Sequence, residues 1–526
     1  CCMVNLVVET RHGKVRGELQ SDVASWKGIP FAAPPVGRLR FRPPEPPVAW
    51  RGERDATHFG PVAQQSRSSQ IALLSGVTDK VHADEDCLLL NVFAPAGAGV
   101  SPADKHPVMV WIHGGAFVMG SGSTPLYHGA PFAADGIVVV TINYRLGLPG
   151  FLYLGGVGDP HAPGNVALLD QVAALRWVQD NIAAFGGDPD NVTVMGESAG
   201  AISIGTLLAM PEARGLFHRA ILESGASGLG LPTRDDATKM ARSVLDELGV
   251  TAAGLADVPI DRLIAAQERL GREYGLAAFA PYLDGTTIQR RPIEAIRDGA
   301  AAGIPLLLGT NRDEWNLFEV FLGEVTIQPF KEPMRAWLGP TLDALLEVYR
   351  ERHFDPRTLI TGSGKGSGTT GEIPRPIDPS DTRAWVDLIG DAVFRIPAIR
   401  TAEAQASHGT PVYMYRFDWA SPTFGGRLAA AHALELAFVW NRLDLPMAPI
   451  LLGKDPSVAQ PLASVVHATW AQFIKTGDPN GAGLPEWPRY DAERRATMLL
   501  DRTCTVADDP GGQARALWPD FEQPPI

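Results

Sequence analysis

Cysteine is scarce in this chain, with only four among 526 residues. Cys1, Cys2, Cys87 and Cys504 predict no disulfide framework, which is typical of a reducing compartment. We expect Cys1 and Cys2 to be loose terminal residues rather than attachment points. CxxC and HExxH patterns are also absent, so the sequence indicates no metal site.

Long apolar runs and an excess of positive charge are missing as well. No run approaches the roughly 20 residues that cross a bilayer, and the N-terminus lacks the basic and apolar parts of a signal peptide. We therefore expect a cytoplasmic protein without a membrane partner. Asp and Glu outnumber Lys and Arg by 59 to 46, giving a net charge of -13. Because such a chain repels phosphate backbones, no nucleic-acid partner is expected.

After residue 88, short apolar runs alternate with helical segments. Apolar residues at every third or fourth position predict helices at 166–185 and 464–476, each followed by glycine. Two strands are expected earlier, at 6–18 and 25–31. The chain is predicted to be one α/β domain over 1–526 with a flexible Gly- and Ser-rich excursion at about 361–384. The runs predict strands buried on both faces of a mostly parallel sheet at 108–112, 137–142, 192–195, 220–222, 306–308 and 412–417.

The most specific motif is Gly-Glu-Ser-Ala-Gly at 196–200, between the predicted strand 192–195 and an apolar helical stretch. This is the G-x-S-x-G turn in the strand–turn–helix context that it requires. Gly196 and Gly200 are needed because larger side chains would collide with the strand and the helix. The turn presents Ser198 near a helix N-terminus, which favours developing negative charge. Ser198 is therefore the candidate nucleophile.

A second glycine turn, His-Gly-Gly-Ala-Phe at 113–117, follows the predicted strand 108–112. Acyl transfer by a serine needs N–H donors for the oxyanion of the tetrahedral intermediate. An HGG-type turn presents such donors. We expect the backbone N–H groups of Gly114, Gly115 and Ala199 to form the oxyanion hole.

A serine nucleophile also needs a base and an acid partner. In α/β-hydrolases the acid lies between the serine and the histidine in the chain. His432 is favoured because it follows a loop and precedes an apolar segment. Glu314 and Asp313 both follow the predicted strand 304–308, and spacing does not choose between them. Of the other histidines after Ser198, His218 is too close to it and His467 lies on an amphipathic helix. His353 and His408 lie in polar, loop-like surroundings.

Several long motifs resemble the type-B carboxylesterases, which include cholinesterases and bacterial para-nitrobenzyl esterases. The resemblance covers nearly the whole chain. Its motifs are Gly-Ile-Pro-Phe-Ala-Ala-Pro-Pro at 28–35, Leu-Arg-Phe at 39–41, Glu-Asp-Cys-Leu-Leu-Leu-Asn at 85–91, the stretch 165–200, Gly-Asp-Pro-Asn at 477–480 and Trp-Pro-Arg-Tyr at 487–490.

The resemblance implies an α/β-hydrolase fold. This fold has a large, mostly parallel central sheet covered by helices, with N-terminal antiparallel strands and inserted lid or loop segments. It implies Glu314 as the acid, and His432 as the base of an H-x-x-E pattern. It also implies that Glu197 and Ser224 support the histidine and the acid.

The implied activity is a serine carboxylesterase that hydrolyses small-molecule esters through an acyl-enzyme, without a cofactor or a metal. The alternative is a carbamate, amide or thioester hydrolase on the same triad. A non-catalytic adhesion domain is disfavoured because Ser198, Glu314 and His432 are all present. A monomer or a weak dimer is compatible with the sequence.

Two departures from the family pattern bear on the substrate. Cys87 lacks its disulfide partner, so the loop at 66–84 is expected to be untethered and mobile. The loop also contains no aromatic residue, which disfavours choline esters. The small residues at 225–232 predict a roomy acyl site.

Overall fold

The computed structural model describes residues 6–66, 81–98, 105–160, 162–227, 231–275, 278–323, 326–353 and 381–519. The strands in these ranges are β1 (Val7–Thr10), β2 (Gly13–Arg16), β3 (Glu18–Gln20), β4 (Val23–Pro30), β5 (Glu53–Asp55), β6 (Leu89–Pro95), β7 (His106–Ile112), β8 (Val138–Ile142), β9 (Gly187–Glu197), β10 (Arg219–Glu223), β11 (Leu306–Asn311), β12 (Val412–Phe417), β13 (Ala496–Leu500) and β14 (Thr505–Asp508).

The helices in the same ranges vary from one turn to more than four turns. They are α1 (Ala130–Ala134), α2 (Gly147–Phe151), α3 (Val166–Asn181), α4 (Ala199–Leu207), α5 (Arg234–Leu248), α6 (Ile260–Tyr274), α7 (Pro292–Arg297), α8 (Asn316–Leu322), α9 (Gln328–Leu338), α10 (Thr341–His353), α11 (Asp381–Gly390), α12 (Ile396–Ala406), α13 (Leu436–Val439), α14 (Ala448–Leu452), α15 (Gln460–Thr476) and α16 (Gly512–Arg515).

One 11-stranded sheet organises the fold, in the order β14-β13-β12-β11-β10-β9-β7-β8-β6-β4-β3. The strands from β13 to β8 in this order pair in parallel. Strand β14 at one edge and strands β6, β4 and β3 at the other are antiparallel. A small separate sheet contains β1, β2 and β5. The prediction of an α/β fold with N-terminal antiparallel strands is confirmed.

The central sheet is buried on both faces because helices cover each side. Strand β7 shows this, since its successive side chains point to opposite faces. Val110 packs in one apolar core with residues of helix α3 such as Leu175. Trp111 packs in the other core with Trp470 of helix α15. Two covered faces explain why the central strands are continuous apolar runs rather than alternating ones.

Both predicted helices exist, with shifted ends. Helix α3 stops at Asn181, and a 3-10 turn continues to Phe185 before Gly186, whose φ of 83° ends it. Helix α15 begins at Gln460 rather than at 464, with a proline in its first turn. Proline is tolerated there because the first N–H groups of a helix have no partner inside it.

Two boundary predictions were wrong. The single strand predicted at 6–18 is three short strands, β1 to β3, because a turn at 11–12 and Gly17 interrupt it. The flexible excursion predicted at 361–384 is wrong at its end, since 381–384 form the first turn of helix α11 and Ala384 is buried. Residues 361–380 and most of the loop 66–84, at 67–80, lie outside the described residues.

Cys87 is a buried free thiol and Cys504 is a half-buried one, whereas Cys1 and Cys2 lie outside the described residues. Across the ranges that the structure describes, no helix combines the length and the apolar character that crossing a bilayer requires.

The carboxyl ends of the parallel strands collect the predicted site residues at one edge of the sheet. The loop of Gly114 follows β7, Ser198 follows β9, and Glu314 follows β11. His432 comes after β12, in a long connection. Helices α5 to α7 lie between β10 and β11 in the chain, and helices α8 to α12 lie between β11 and β12. In open α/β sheets, ligands bind at this edge.

Candidate active site

Ser198 lies in a strained turn between strand β9 and helix α4. Its φ of 55° and ψ of -124° are rare for a residue with a side chain. The surrounding backbone holds this conformation, and the Ser198 N–H donates to Glu223 O at 2.9 Å. A Cβ atom at Gly200 would lie 2.0 Å from Ile112 O, and one at Gly196 would lie 2.7 Å from the same oxygen. Glycine is required at both positions, as the motif predicts.

The glycine turn after β7 lies directly against this elbow. A Cβ atom at Gly114 would be 3.1 Å from Ser198 Cβ. Gly115 has a φ of 109°, and its carbonyl oxygen accepts the N–H groups of Val118 and Met119, both at 3.0 Å. Within the described ranges, the N–H groups of Gly114, Gly115 and Ala199 have no hydrogen-bond acceptor. They are therefore available to a ligand beside Ser198.

Glu314 and His432 are in contact behind the elbow. Glu314 Oε2 lies 2.7 Å from His432 Nδ1, and both side chains are buried. The Asn311 N–H donates to Glu314 Oε1 at 2.7 Å, and the His432 N–H donates to Glu314 O at 3.2 Å. The Asp313 carboxylate points elsewhere, since its Oδ2 accepts the Ala430 N–H at 3.0 Å. The histidine is thus oriented by Glu314 and not by Asp313.

The other ring nitrogen of His432 faces Glu197. His432 Nε2 lies 3.0 Å from Glu197 Oε1. Among the described residues no hydrogen bond joins His432 to the Ser198 hydroxyl, whose side chain is half-buried. The rings of Phe394 and Phe318 pack on the imidazole, with centroid distances of 4.6 and 5.4 Å. The imidazole therefore lies among aromatic rings, and both of its nitrogen atoms face carboxylates.

The remaining candidate histidines lie away from this cluster. His218 Nδ1 accepts the Val192 N–H at 3.2 Å, and His408 Nε2 lies 2.9 Å from Arg297 O. His467 is a buried packing residue, as its helical position predicts, with Nδ1 2.7 Å from Val439 O. His353 ends helix α10, and its side chain lies outside the described residues.

Two buried carboxyl side chains beside the site, Glu435 and Glu223, were not among the sequence candidates. Glu435 Oε2 accepts the side-chain amide of Asn311, and Glu223 Oε1 accepts the Trp470 indole N–H at 2.5 Å. The sequence did point to Glu435, because it is the last residue of the H-x-x-E pattern that begins at His432. Glu223 had only its place next to Ser224. The Ser224 hydroxyl, expected to support the acid, is buried and has no hydrogen-bond partner in the described ranges.

Burial dominates the acid–base behaviour of these groups. Loss of solvation, together with the nearby Glu197 and Glu314, raises the pKa of Glu435 to about 8. The pKa of Glu197 is raised by burial as well, against the opposing charge of His432. Burial alone lowers the pKa of His432, but Glu197 and Glu314 together reverse this and raise it above the ordinary histidine value. The site therefore stabilises an imidazolium.

The segment 225–232, predicted to form a roomy acyl site, directly follows Ser224. In the segment 225–232, residues 228–230 lie outside the described residues. The preceding residues pack tightly on the elbow, since a Cβ atom at Gly225 would be 2.5 Å from Ser198 O. In the described ranges, no group of three His, Cys, Asp or Glu side chains is placed to hold a metal ion.

Comparisons with known proteins agree over the whole length of the chain. Residues 4–518 match the model of the carboxylesterase family. The para-nitrobenzyl esterase of Bacillus subtilis (strain 168) is 41% identical over 98% of both chains. The phenmedipham hydrolase of Pseudarthrobacter oxydans is 36% identical and covers 96% of this chain and 97% of its own. A solved Geobacillus stearothermophilus carboxylesterase is 42% identical, with a TM-score of 0.82, and covers 98% of this chain and 100% of its own.

Proposed function

This chain belongs to the carboxylesterase family, has its α/β-hydrolase fold and is a serine hydrolase of carboxylic esters, and we propose that Ser198 is its nucleophile, His432 its base and Glu314 the acid. The observation that carries the assignment is the 2.7 Å contact between Glu314 Oε2 and His432 Nδ1, beside the Ser198 elbow. A base that is oriented by a third group is the arrangement that activates a weak nucleophile.

In the first half of the reaction, His432 Nε2 takes the Ser198 proton while Ser198 Oγ attacks the ester carbonyl. Negative charge moves to the carbonyl oxygen, where the free N–H groups of Gly114, Gly115 and Ala199 stabilise it. Glu314 holds the ring and stabilises the imidazolium that forms. His432 then gives its proton to the alkoxide as the C–O bond breaks, which leaves an acyl-enzyme and an alcohol.

In the second half, water replaces Ser198 as the nucleophile. His432 Nε2 takes a proton from water, the hydroxide attacks the acyl carbon, and the same N–H groups hold the new oxyanion. Return of the proton to Ser198 Oγ releases the carboxylic acid. The separation of His432 from Ser198 in the free enzyme does not oppose this role, because catalytic hydrogen bonds often form only with substrate bound. Glu197 is proposed to hold the imidazole beforehand.

The aromatic rings beside His432 support small esters with an apolar group as substrates. Phe318 and Phe394 pack on the ring of the proposed base. An apolar wall favours acyl or alcohol groups that lose water on binding. A cytoplasmic location, a monomer or weak dimer, and the absence of nucleic-acid and membrane partners stay predictions from the sequence.

Hydrolysis of p-nitrophenyl esters, from acetyl to dodecanoyl, by the wild type and by Ser198→Ala tests the assignment. We expect Ser198→Ala to lose turnover on the order of 10⁶-fold, with an unchanged circular dichroism spectrum. Ser243→Ala on helix α5 is the matched control, because this serine is half-buried like Ser198 and its hydroxyl contacts Tyr274, and it should keep wild-type turnover. Equal turnover by wild type and Ser198→Ala would reject Ser198 as the nucleophile.

A carbamate is the second candidate substrate. The relative from Pseudarthrobacter oxydans is named for hydrolysis of phenmedipham, a carbamate. The triad does not separate esters from carbamates, amides or thioesters, since all react through an acyl-enzyme. Matched p-nitrophenyl ester, carbamate and anilide substrates rank them by kcat/KM. The ester should be the best, and a higher value for the carbamate would replace it.

A further inference from the structure

The side chain of Gln65 forms two hydrogen bonds with the backbone of Gly120, which lies 55 positions later in the chain. The Gly120 N–H donates to Gln65 Oε1 at 2.8 Å, and Gln65 Nε2 donates to Gly120 O at 3.0 Å. The same Nε2 donates to Ala63 O at 3.0 Å. The side chain is 5% exposed. All these bonds require one orientation of the amide, because a flipped amide would set oxygen against oxygen and N–H against N–H.

Gly120 in turn packs against the glycine turn at Ser198. A Cβ atom at Gly120 would lie 2.6 Å from Gly114 O and 2.5 Å from His113 Nδ1. His113 Nδ1 lies 2.8 Å from Gly114 O, to which its N–H donates. Burial lowers the pKa of His113 to about 4, so the ring is neutral at pH 7. The two ends of the loop 113–120 therefore pack against each other at Gly120, the residue to which Gln65 is hydrogen-bonded.

The position of Gly114 O determines where one oxyanion donor points. The peptide group is planar and trans, so the carbonyl of Gly114 and the N–H of Gly115 point in opposite directions. A loop that holds Gly114 O between His113 and Gly120 also fixes the Gly115 N–H. Oxyanion stabilisation depends on donors that are aligned before the charge develops.

We infer that Gln65 is a positioning residue for ester hydrolysis, which fixes the loop 113–120 so that the Gly115 N–H points at the oxyanion. The inference rests on the proposed roles of Ser198 and Gly115. In the described ranges, no hydrogen bond joins Gln65 to Ser198 or to His432. Its effect is on the transition state, because the carbonyl of a bound ester carries little charge until Ser198 attacks.

The test replaces Gln65 with leucine, which has a similar size and no hydrogen-bonding group. We expect Gln65→Leu to lower kcat for p-nitrophenyl acetate about tenfold or more while KM changes less than threefold. This is below the roughly 10²-fold or larger loss of a whole oxyanion donor. Its affinity for a trifluoromethyl ketone, which forms a tetrahedral oxyanion adduct on the serine, should fall by the same factor as kcat.

Gln405→Leu is the matched control for loss of a buried amide. Gln405 Nε2 donates to Ala301 O at 2.7 Å and to Ile304 O at 2.8 Å, away from the site. It should lower the thermal midpoint without changing kcat or the affinity for the ketone. Gln65→Glu supplies a second variant if Gln65→Leu does not fold, because it keeps the acceptor for the Gly120 N–H. Its kcat should lie between those of the wild type and Gln65→Leu.

The possible results separate the inference from the proposed function. If Gln65→Leu and Gln65→Glu match the wild type in kcat and in affinity for the ketone, Gln65 is not a positioning residue, even when Ser198→Ala is inactive. If they lower the thermal midpoint as Gln405→Leu does, without a change in kcat or in affinity for the ketone, Gln65 contributes only to stability and the inference is equally wrong. Turnover by Ser198→Ala at the wild-type rate would instead reject the proposed function on which the inference rests.

Discussion

His432 Nε2 lies 3.0 Å from Glu197 Oε1, on the side of the imidazole that the mechanism assigns to Ser198. A carboxylate at this distance favours the protonated ring, and Glu197 is the strongest of the charges that raise the pKa of His432. A protonated imidazole cannot accept the serine proton. Glu197 therefore extends the pH range in which the proposed base is protonated and blocked.

Glu197→Gln should move the acidic limb of the kcat/KM profile to lower pH. Only neutral His432 is active, and its fraction rises with pH. The Glu197 carboxylate raises the pKa of His432, so an uncharged glutamine lowers that pKa, by about one unit for each 1.4 kcal/mol of lost interaction. The measurement is kcat/KM for p-nitrophenyl acetate between pH 5 and pH 9.

Asp135→Asn provides the matched control for this shift. Asp135 Oδ2 lies 3.2 Å from Nε2 of His467, a histidine outside the proposed mechanism. The profile of Asp135→Asn should overlay that of the wild type. An acidic limb of Glu197→Gln at the wild-type pH, or at higher pH, would contradict the role of Glu197.

Substitutions of the adjacent residues Asp313 and Glu314 should have very different effects on kcat. Glu314→Gln leaves His432 Nδ1 without its carboxylate and is expected to lower kcat about 10⁴-fold, as in other triads. Asp313→Asn keeps an oxygen that can accept the Ala430 N–H but removes the charge that pairs with Arg312, so it should lower the thermal midpoint and keep kcat within about tenfold. Steady-state kinetics and thermal unfolding of both variants measure this. The reverse order of kcat would make Asp313 the acid.

Much of the fold could be predicted because local pattern and tertiary structure agree there. The strands of the central sheet are buried on both faces, so each is an uninterrupted apolar run. The elbow at Ser198 could be predicted for the same reason, because the close packing that requires its two glycines acts within a motif of five residues. Strand β1 was less readable, because its sheet with β2 and β5 has few buried positions to mark it.

The candidate site could be predicted where chain order carries information and not where it depends on distant contacts. Spacing left Asp313 and Glu314 open, because adjacent carboxylates differ only in direction. The contact of Glu314 with His432 supports the choice that the family resemblance implies. No local sequence pattern indicates the hydrogen bonds between Gln65 and Gly120, because the two residues are 55 positions apart and glutamine is common on protein surfaces. Glu223 comes close to Glu435 only through the folding of the sheet.

Breaking the buried ion pair between Arg145 and Asp170 should destabilise the fold. Arg145 Nη2 lies 2.6 Å from Asp170 Oδ1, and the two side chains are 3% and 0% exposed. Asp170→Asn leaves a buried guanidinium without its counter-charge, which costs about 3–5 kcal/mol. The measurement is the thermal midpoint, with Asp298→Asn in the exposed pair Arg290–Asp298 as the control. The control should cost under about 1 kcal/mol, and equal losses would contradict the prediction.

Glu435→Gln should change how stability depends on pH. In the folded protein burial raises the pKa of Glu435 to about 8, whereas a glutamate in the unfolded chain has a pKa of about 4.3. Between these values the folded state keeps a proton that the unfolded state releases. The free energy of unfolding therefore falls as the pH rises from about 4.3 to about 8. Glutamine does not ionise, so the variant lacks this loss.

The thermal midpoint of Glu435→Gln, relative to the wild type, should consequently rise from pH 5 to pH 8. The side-chain amide of glutamine can still accept from Asn311, which keeps the cost at low pH small. Glu493→Gln, at an exposed position, is the control and should show a difference that is independent of pH. A constant offset for Glu435→Gln would mean that Glu435 ionises in the folded protein as it does in water. The buried carboxyl groups beside His432 would then hold more negative charge at pH 7 than burial allows, and the acidic limb of the kcat/KM profile would lie at higher pH.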